Sequence, residues 1–169
     1  MHAEAYQAVA ERAAATGLDT RPVVALDLGG QFVNGSTRPL FKRARWTGLD
    51  IVPGPGIDIV ADATAWTPDK LYGLVVCTEV LEHVQDWQSI VCTAAEALEP
   101  GGTLILTCAS TNRPPHSSVG DVNLGGEWYG NVDPDELRDF ASGLFETVDV
   151  EYNFPPGDAY MVAVKAEDK

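Results

Sequence analysis

Cysteine is scarce in this 169-residue chain, which holds three thiols at Cys77, Cys92 and Cys108. An odd count on spacings unlike a zinc site, each thiol set among apolar residues, reads as three reduced core cysteines. Positive charge is scarce too: 11 Lys and Arg stand against 25 Asp and Glu, a formal charge of −14. Such a surface repels phosphate backbones, so nucleic acid is not expected as a partner, and steering of an anionic substrate is disfavoured. The one basic cluster, Lys42-Arg43-Ala44-Arg45, is short, precedes a strand and reads as a solvated helix end. No apolar run approaches the roughly 20 residues that cross a bilayer. The opening MHAEAYQAVAERAAATG has neither the basic start nor the apolar centre of a signal peptide. A cytoplasmic protein without a membrane partner is the expectation. Histidines number three, and neither a His-rich nor a clustered acidic motif has ligand spacing, so metal is expected to be absent.

What remains is an ordinary globular composition, 45% hydrophobic, on a length that suits one domain spanning 1–169. There is no repeat and no low-complexity tract. Ala5, Val9 and Ala13 lie at helical spacing in an N-terminal helix that Gly17 would stop. Val23 to Leu28 is a continuous apolar strand carrying one acid. Residues 36–43 suit a short helix capped by Ser36. Strands follow at 45–50, 57–61 and 74–77. A helix over 85–98 is stopped by Pro100-Gly101-Gly102, and a strand covers 103–109. Residues 110–132 form a long Gly-, Pro-, Ser- and Asn-rich loop, of the kind that is usually functional. Asp133-Pro134 opens a last helix, and strands at 145–152 and 159–166 close the chain. Strands alternating with helices imply an α/β fold: a Rossmann-like, doubly wound, seven-stranded and mostly parallel sheet in three α/β/α layers. Two final strands with no helix between them imply one antiparallel strand at or near an edge.

In such a sheet, ligands bind beyond the carboxyl ends of the strands. Those ends carry acids: Asp27 in Asp27-Leu28-Gly29-Gly30, Asp50 roughly 20 residues on, Asp62, and Glu79 after Thr78. Any one of them has a structural explanation as a turn or cap residue. Four along one rim suit a ligand rich in hydroxyls and amines, because carboxylates accept hydrogen bonds from both. An acidic rim also disfavours a pyrophosphate and favours a cationic, phosphate-free nucleoside.

The segment LVVCTEVLEHVQDWQSIVCTAAEALEPGGTLILTC, residues 74–108, resembles the small-molecule branch of the class I S-adenosylmethionine-dependent methyltransferases. In that family a strand ends in E-V-L-E-H, and a later P-G-G precedes the next strand. The resemblance covers about residues 20–165. It implies S-adenosylmethionine as cofactor, with Asp27, Gly29 and Gly30 bordering its methionine part. By the same resemblance Asp50 holds the ribose, Ile51 packs on the adenine, Asp62 accepts from the adenine amino group and the Ala63 backbone meets a ring nitrogen. Cys77 and Thr78 would lie beneath the sulfonium, and Glu79 would line the site. One departure concerns the first loop. Gln31 and Val33 stand where the family has later glycines, and Asn34-Gly35-Ser36 follows. Gly29-Gly30 still permits close backbone approach, and Asn34-Gly35 can take left-handed dihedrals, so the loop reads as an intact alternative.

The acceptor side is less defined. His83, at the start of the helix after the fourth strand, and His116, in RPPHSSVGDVNLGGEWYGN, are the candidate general bases. Each also has a plain reading, as a packing residue and as a surface-loop residue. His2 is set aside because it lies at the terminus. Trp128, Tyr129 and Asn131 suit a lid over an apolar or sugar-like ring. The acceptor is expected to be a small molecule, in a pocket either open or completed by a second subunit. Two other readings stay open: a dehydrogenase-like nucleotide-binding domain, and a non-catalytic binding module or partner subunit of the same fold.

Overall fold

Val23–Leu28 is apolar at every position but Asp27, and this run builds β1 in the interior of the sheet. The computed structural model describes residues 2–33, 35–119 and 125–168. Helix α1 (Ala3–Thr16) precedes β1. After it come β2 (Ala44–Asp50), β3 (Ile59–Val60), β4 (Tyr72–Thr78), α2 (Trp87–Ala97), β5 (Leu98–Ala109), α3 (Pro134–Ser142), β6 (Thr147–Asn153) and β7 (Asp158–Val164). The seven strands form one sheet in the order β3-β2-β1-β4-β5-β7-β6. All pairings are parallel except those of β7, which runs antiparallel to both β5 and β6 and sits one strand in from the edge. Strand order reverses between β1 and β4, so a crevice opens beyond their carboxyl ends.

The central strands are apolar without alternation because both faces are covered. Leu26, Val75, Cys77, Leu104 and Leu106 point to one face and pack with Ile90, Val91 and Ala94 of α2 and with Leu137 and Ala141 of α3. Ala25, Leu74, Val76 and Ile105 point to the other face, under Val9 and Ala13 of α1 and against Leu18 and Phe41. Gly17 ends α1 in the left-handed conformation, as its position predicts. Asp133 caps α3 by accepting from the amides of Asp135 and Glu136. No helix among the described residues is long and apolar enough to cross a membrane.

Four sequence expectations change. Helix α2 ends at Ala97, and Pro100-Gly101-Gly102, expected to separate it from a strand at 103–109, lie within β5. The helix expected over 36–43 is a single 3-10 turn, Arg38–Leu40, with Thr37 rather than Ser36 at its cap position. Pro39 has no amide to donate, and the Arg38 side chain is drawn away toward Asp27. The helix expected from Gln85 starts at Trp87, preceded by a 3-10 turn at Leu81–His83, so His83 closes a turn and does not open the helix. The third strand is paired only at Ile59 and Val60. Asp58 is used otherwise: its amide donates to the Gly48 carbonyl and its carboxylate accepts from the Gly48 amide, both at 2.8 Å.

Candidate active site

The first glycine loop is built by backbone contacts that no side chain could share. Gly29 has φ +69°, and a Cβ there would stand 2.3 Å from Val80 Cγ2. The amides of Gly29 and Gly30 both donate to the Leu49 carbonyl, at 2.8 and 3.1 Å. Gln31 and Phe32 then turn toward the 53–56 segment. The Gln31 side chain lies against Gly54 and the Phe32 ring against Gly56, where added Cβ atoms would come within 2.6 Å of each. The glycines absent from the first loop thus have counterparts in the facing turn, and the crevice is left open. Gly35 has φ +102°, while Asn34 lies outside the described residues. Ser36 contributes its Oγ, which accepts from the Arg38 amide at 3.2 Å.

Arg38 is the residue that sequence reasoning missed here. Its Nε donates to Asp27 Oδ2 at 2.9 Å, and its terminal nitrogen donates to the Gly56 carbonyl at 2.7 Å. The guanidinium also lies over the rings of Phe32 and Trp46, at 4.9 and 5.4 Å from their centroids. Burial raises the Asp27 carboxyl above the ordinary range, and Arg38 opposes that rise. Only the order Gly-Gly-x-x-x-x-Gly-Ser-Thr-Arg was visible in the chain, and it carries no signal that the arginine folds back.

The crevice encloses about 470 Å³, within the usual range for small-molecule sites. Asp27, Gly29, Gly30, Asp50, Ile51, Asp62, Ala63, Thr78, Glu79 and His83 all line it. Asp50 is held by two amides, Gln31 N to Oδ2 at 3.2 Å and Val52 N to Oδ1 at 3.1 Å. Ile51 is 66% exposed on the crevice wall. Asp62 Oδ1 accepts from the Thr64 amide and hydroxyl, which hold its carboxyl below the usual range. Thr93 of α2 donates to the Ala63 carbonyl at 2.8 Å and fixes that backbone.

Two expected residues fall elsewhere. Cys77 is wholly buried in the sheet core with its thiol pushed upward by burial, and its side chain does not reach the crevice. Strand alternation turns it inward, while Thr78 lines the crevice. His116 is also outside the crevice lining. It packs edge-on against His83, with centroids 5.2 Å apart, and against Tyr129 at 5.1 Å.

A second group of polar residues adjoins the crevice at His83 and Glu79. Glu79 has φ +56° at the end of β4, and its Oε1 accepts from the Thr107 hydroxyl at 2.9 Å. His2, set aside in the sequence, is held here: its Nε2 is 2.9 Å from Asp158 Oδ2 and 3.4 Å from Glu79 Oε2. Burial raises the Glu79 carboxyl, but the His2 contact and charge outweigh it and leave the group below its ordinary value. Arg113 pins the long loop to the same buried Asp158 at 3.1 Å, and the Tyr160 hydroxyl donates to it at 2.9 Å. The loop's ends are tied by Ser110 Oγ to the Val132 carbonyl and by the Gly130 amide to the Glu82 carbonyl. Ser118, Val119, Glu127 and Trp128 of that loop reach the crevice.

Glu82 is fully buried, and its carboxylate oxygens meet no partner in hydrogen-bonding geometry, although the Glu82 and Ala109 amides lie near enough to act on its charge. Burial drives its carboxyl well above the ordinary range; nearby Glu79 adds to the rise, and the Glu82 and Ala109 amides moderate it. Burial and the neighbouring His116 lower His83. One ligand atom from each of Glu82, His83 and His116 lies within 4.8 Å of the others. The sequence shows no motif with ligand spacing, and this grouping is one of position in the fold. Folding joins residues 33 positions apart, which linear spacing does not display.

A strand-order reversal, a glycine turn in contact with β2 and a rim of acids define a Rossmann-like fold with one acid-rimmed crevice at its switch point. A family model described as a methyltransferase domain matches residues 5–144, and the chain belongs to that family. The ubiquinone biosynthesis O-methyltransferase of Pectobacterium atrosepticum is 35% identical over 107 residues, 62% of this chain and 39% of that protein. The one from Hydrogenovibrio crunogenus is 41% identical over 54 residues, 32% of this chain and 22% of that protein. The chain thus spans well under half the length of these curated relatives. Among solved structures, the Burkholderia thailandensis 1,6-didemethyltoxoflavin-N1-methyltransferase with bound S-adenosylhomocysteine aligns at TM-score 0.72 and 18% identity, covering 96% of this chain and 79% of that one. The N-methyltransferase NodS from Bradyrhizobium japonicum, in complex with S-adenosylhomocysteine, aligns at 0.63 and 15% identity, covering 96% and 87%. These likenesses concern the fold.

Proposed function

We propose that this domain binds S-adenosylmethionine in the crevice and transfers its methyl group to a small-molecule acceptor. One observation carries the reading: strand-tip acids from β1, β2 and β4, together with Asp62 after β3, converge on one crevice that a glycine turn keeps clear. The residues fit the cofactor. Asp50 is oriented by two amides and retains lone pairs for ribose hydroxyls. Ile51 offers an exposed apolar face to a purine, and Asp62 an acceptor to its amino group. Gly29 and Gly30 border the methionine end, with Thr78 and Glu79 on the floor.

When bound, the cofactor supplies a methyl carbon activated by its sulfonium. This chain's part is to align the acceptor with that carbon and to keep water out. Ser118, Val119, Glu127 and Trp128 serve as the substrate-side wall, with Val119 and Trp128 offering apolar surface to the acceptor body. The whole chain is read as one catalytic unit acting in a cytoplasmic setting. The O-methyltransferase relatives support an oxygen acceptor, whether on a ring or a sugar-like molecule.

Thermal-shift titration tests the reading. S-adenosylhomocysteine should stabilise the protein and NAD should not. Stabilisation by NAD alone would reassign the crevice to a dinucleotide, and stabilisation by neither would support a non-catalytic member of the fold.

A further inference from the structure

A buried carboxyl with both oxygens unpartnered costs several kcal/mol unless something satisfies it. Glu82 is in that position, fully enclosed, with His116 Nε2 3.9 Å from its Oε1. A buried ring nitrogen of His83, Nδ1, likewise has no partner. The other nitrogen of His116 lies 3.3 Å from the Pro114 carbonyl. With Nδ1 protonated and donating to that carbonyl, Nε2 presents a lone pair toward Glu82. That is the outer-shell arrangement by which metal-bound imidazoles are oriented. A single ion with bonds of about 2.1 Å spans ligand atoms up to about 4.2 Å apart. The 3.9 Å gap is within that span, and the ligand atoms, all within 4.8 Å of one another, need at most a small side-chain rotation to meet it.

We propose that Glu82, His83 and His116 form a divalent cation site at the edge of the crevice. Two imidazoles and one carboxylate select a first-row transition cation over Mg²⁺ or Ca²⁺. Three protein ligands leave a coordination position open, and His83 also lines the crevice, so that position is within reach of the acceptor. The acceptor class follows, and here the inference rests on the methyltransferase reading. It is a hydroxyl compound, phenolic or alcoholic, whose oxygen binds the cation and thereby becomes more acidic. Its proton passes to solvent, an oxygen lone pair forms the new bond to the methyl carbon, and the electron pair of the broken C–S bond stays on sulfur.

The test uses the full chain after dialysis against a chelator. Titration calorimetry with Zn²⁺ should give one site per chain, and Mg²⁺ should bind far more weakly. Co²⁺ should give the visible absorption of a low-coordinate complex. Glu82→Gln and His116→Ala should each weaken Zn²⁺ binding by well over about 100-fold, beyond the roughly 10–100-fold loss of an outer-shell partner. Cys92→Ser should leave it unchanged. His116 is on a surface loop, so its variant stays informative should Glu82→Gln fail to fold. Absence of one-to-one binding, or binding that survives both substitutions, overturns the site. S-adenosylhomocysteine titrated in parallel separates the two ideas. If it fails to bind while Zn²⁺ binds, the methyltransferase reading falls and the cation site stands.

Discussion

Arg38 Nε and Asp27 Oδ2 lie 2.9 Å apart, and that pair closes the first loop around the strand tip it leaves. The guanidinium lies over the rings of Phe32 and Trp46 and reaches the Gly56 carbonyl, so one side chain ties β1, β2 and the 53–56 turn together. Arg38→Ala leaves the Asp27 carboxylate buried without its partner and should cost about 3 kcal/mol, the lower end for breaking a buried pair. Adding Asp27→Asn should return part of that loss, since no buried charge is then stranded. Urea unfolding of the two variants measures both. A cost under about 1 kcal/mol for Arg38→Ala would show the pair to be solvent-screened instead.

The loop's glycine requirement is testable at one atom. Gly29→Ala meets two penalties, a left-handed backbone at about 1–2 kcal/mol and the approach of Val80 Cγ2 to 2.3 Å. Gly17 has nearly the same φ, with nothing near an added Cβ. Gly29→Ala should therefore destabilise more than Gly17→Ala, and the excess should vanish in a Val80→Ala background. Equal costs for Gly29→Ala, Gly17→Ala and Gly29→Ala in the Val80→Ala background would mean that the Val80 contact relaxes freely.

The sheet was legible in the chain because its signals are local: apolar runs without alternation, the Gly17 stop, an Asp-Pro cap. The strand-tip acids were legible for the same reason, each standing at the end of such a run. What escaped were pairings made across the fold. Asp27 was visible as an acid, but Arg38 as its partner was not. Glu82 was in plain view in E-V-L-E-H, yet its isolation depends on the burial around it, and His116 joins it only through the return of the long loop. Asp158, just ahead of the last expected strand, gave no sequence signal that it gathers His2, Arg113 and Tyr160. Cys77 erred in the opposite way. Its neighbour in sequence reaches the crevice, and strand alternation sends its own side chain to the core.

Trp128 is 49% exposed and lines the crevice beside Val119, which is 61% exposed. Apolar surface left open at a ligand site suits a ring or chain that covers it. Trp128→Ala should raise the acceptor KM several-fold while S-adenosylhomocysteine affinity stays within twofold. Steady-state kinetics with a methylated product assay, paired with calorimetry, checks both quantities. A matched loss in cofactor affinity would move Trp128 from the acceptor side to the cofactor side.

His2 provides the pH dependence. Asp158 and Glu79 on one side and Glu4 on the other hold the imidazolium, raising its pKa from 6.5 to about 10. The folded protein therefore keeps a proton that the unfolded chain releases above 6.5. Stability from this contact is complete below pH 6.5, declines as pH rises, and is gone beyond about 10. The slope stays below the limit of about 1.4 kcal/mol per pH unit for one proton, because the ring is partly in contact with solvent. His2→Gln should flatten the decline between pH 7 and pH 9.5 without adding a new one below pH 6, roughly the window the linkage defines. Urea midpoints at five pH values, wild type against variant, measure the difference. Parallel curves across that window would mean that the proton is not held, and that Arg113 alone balances Asp158.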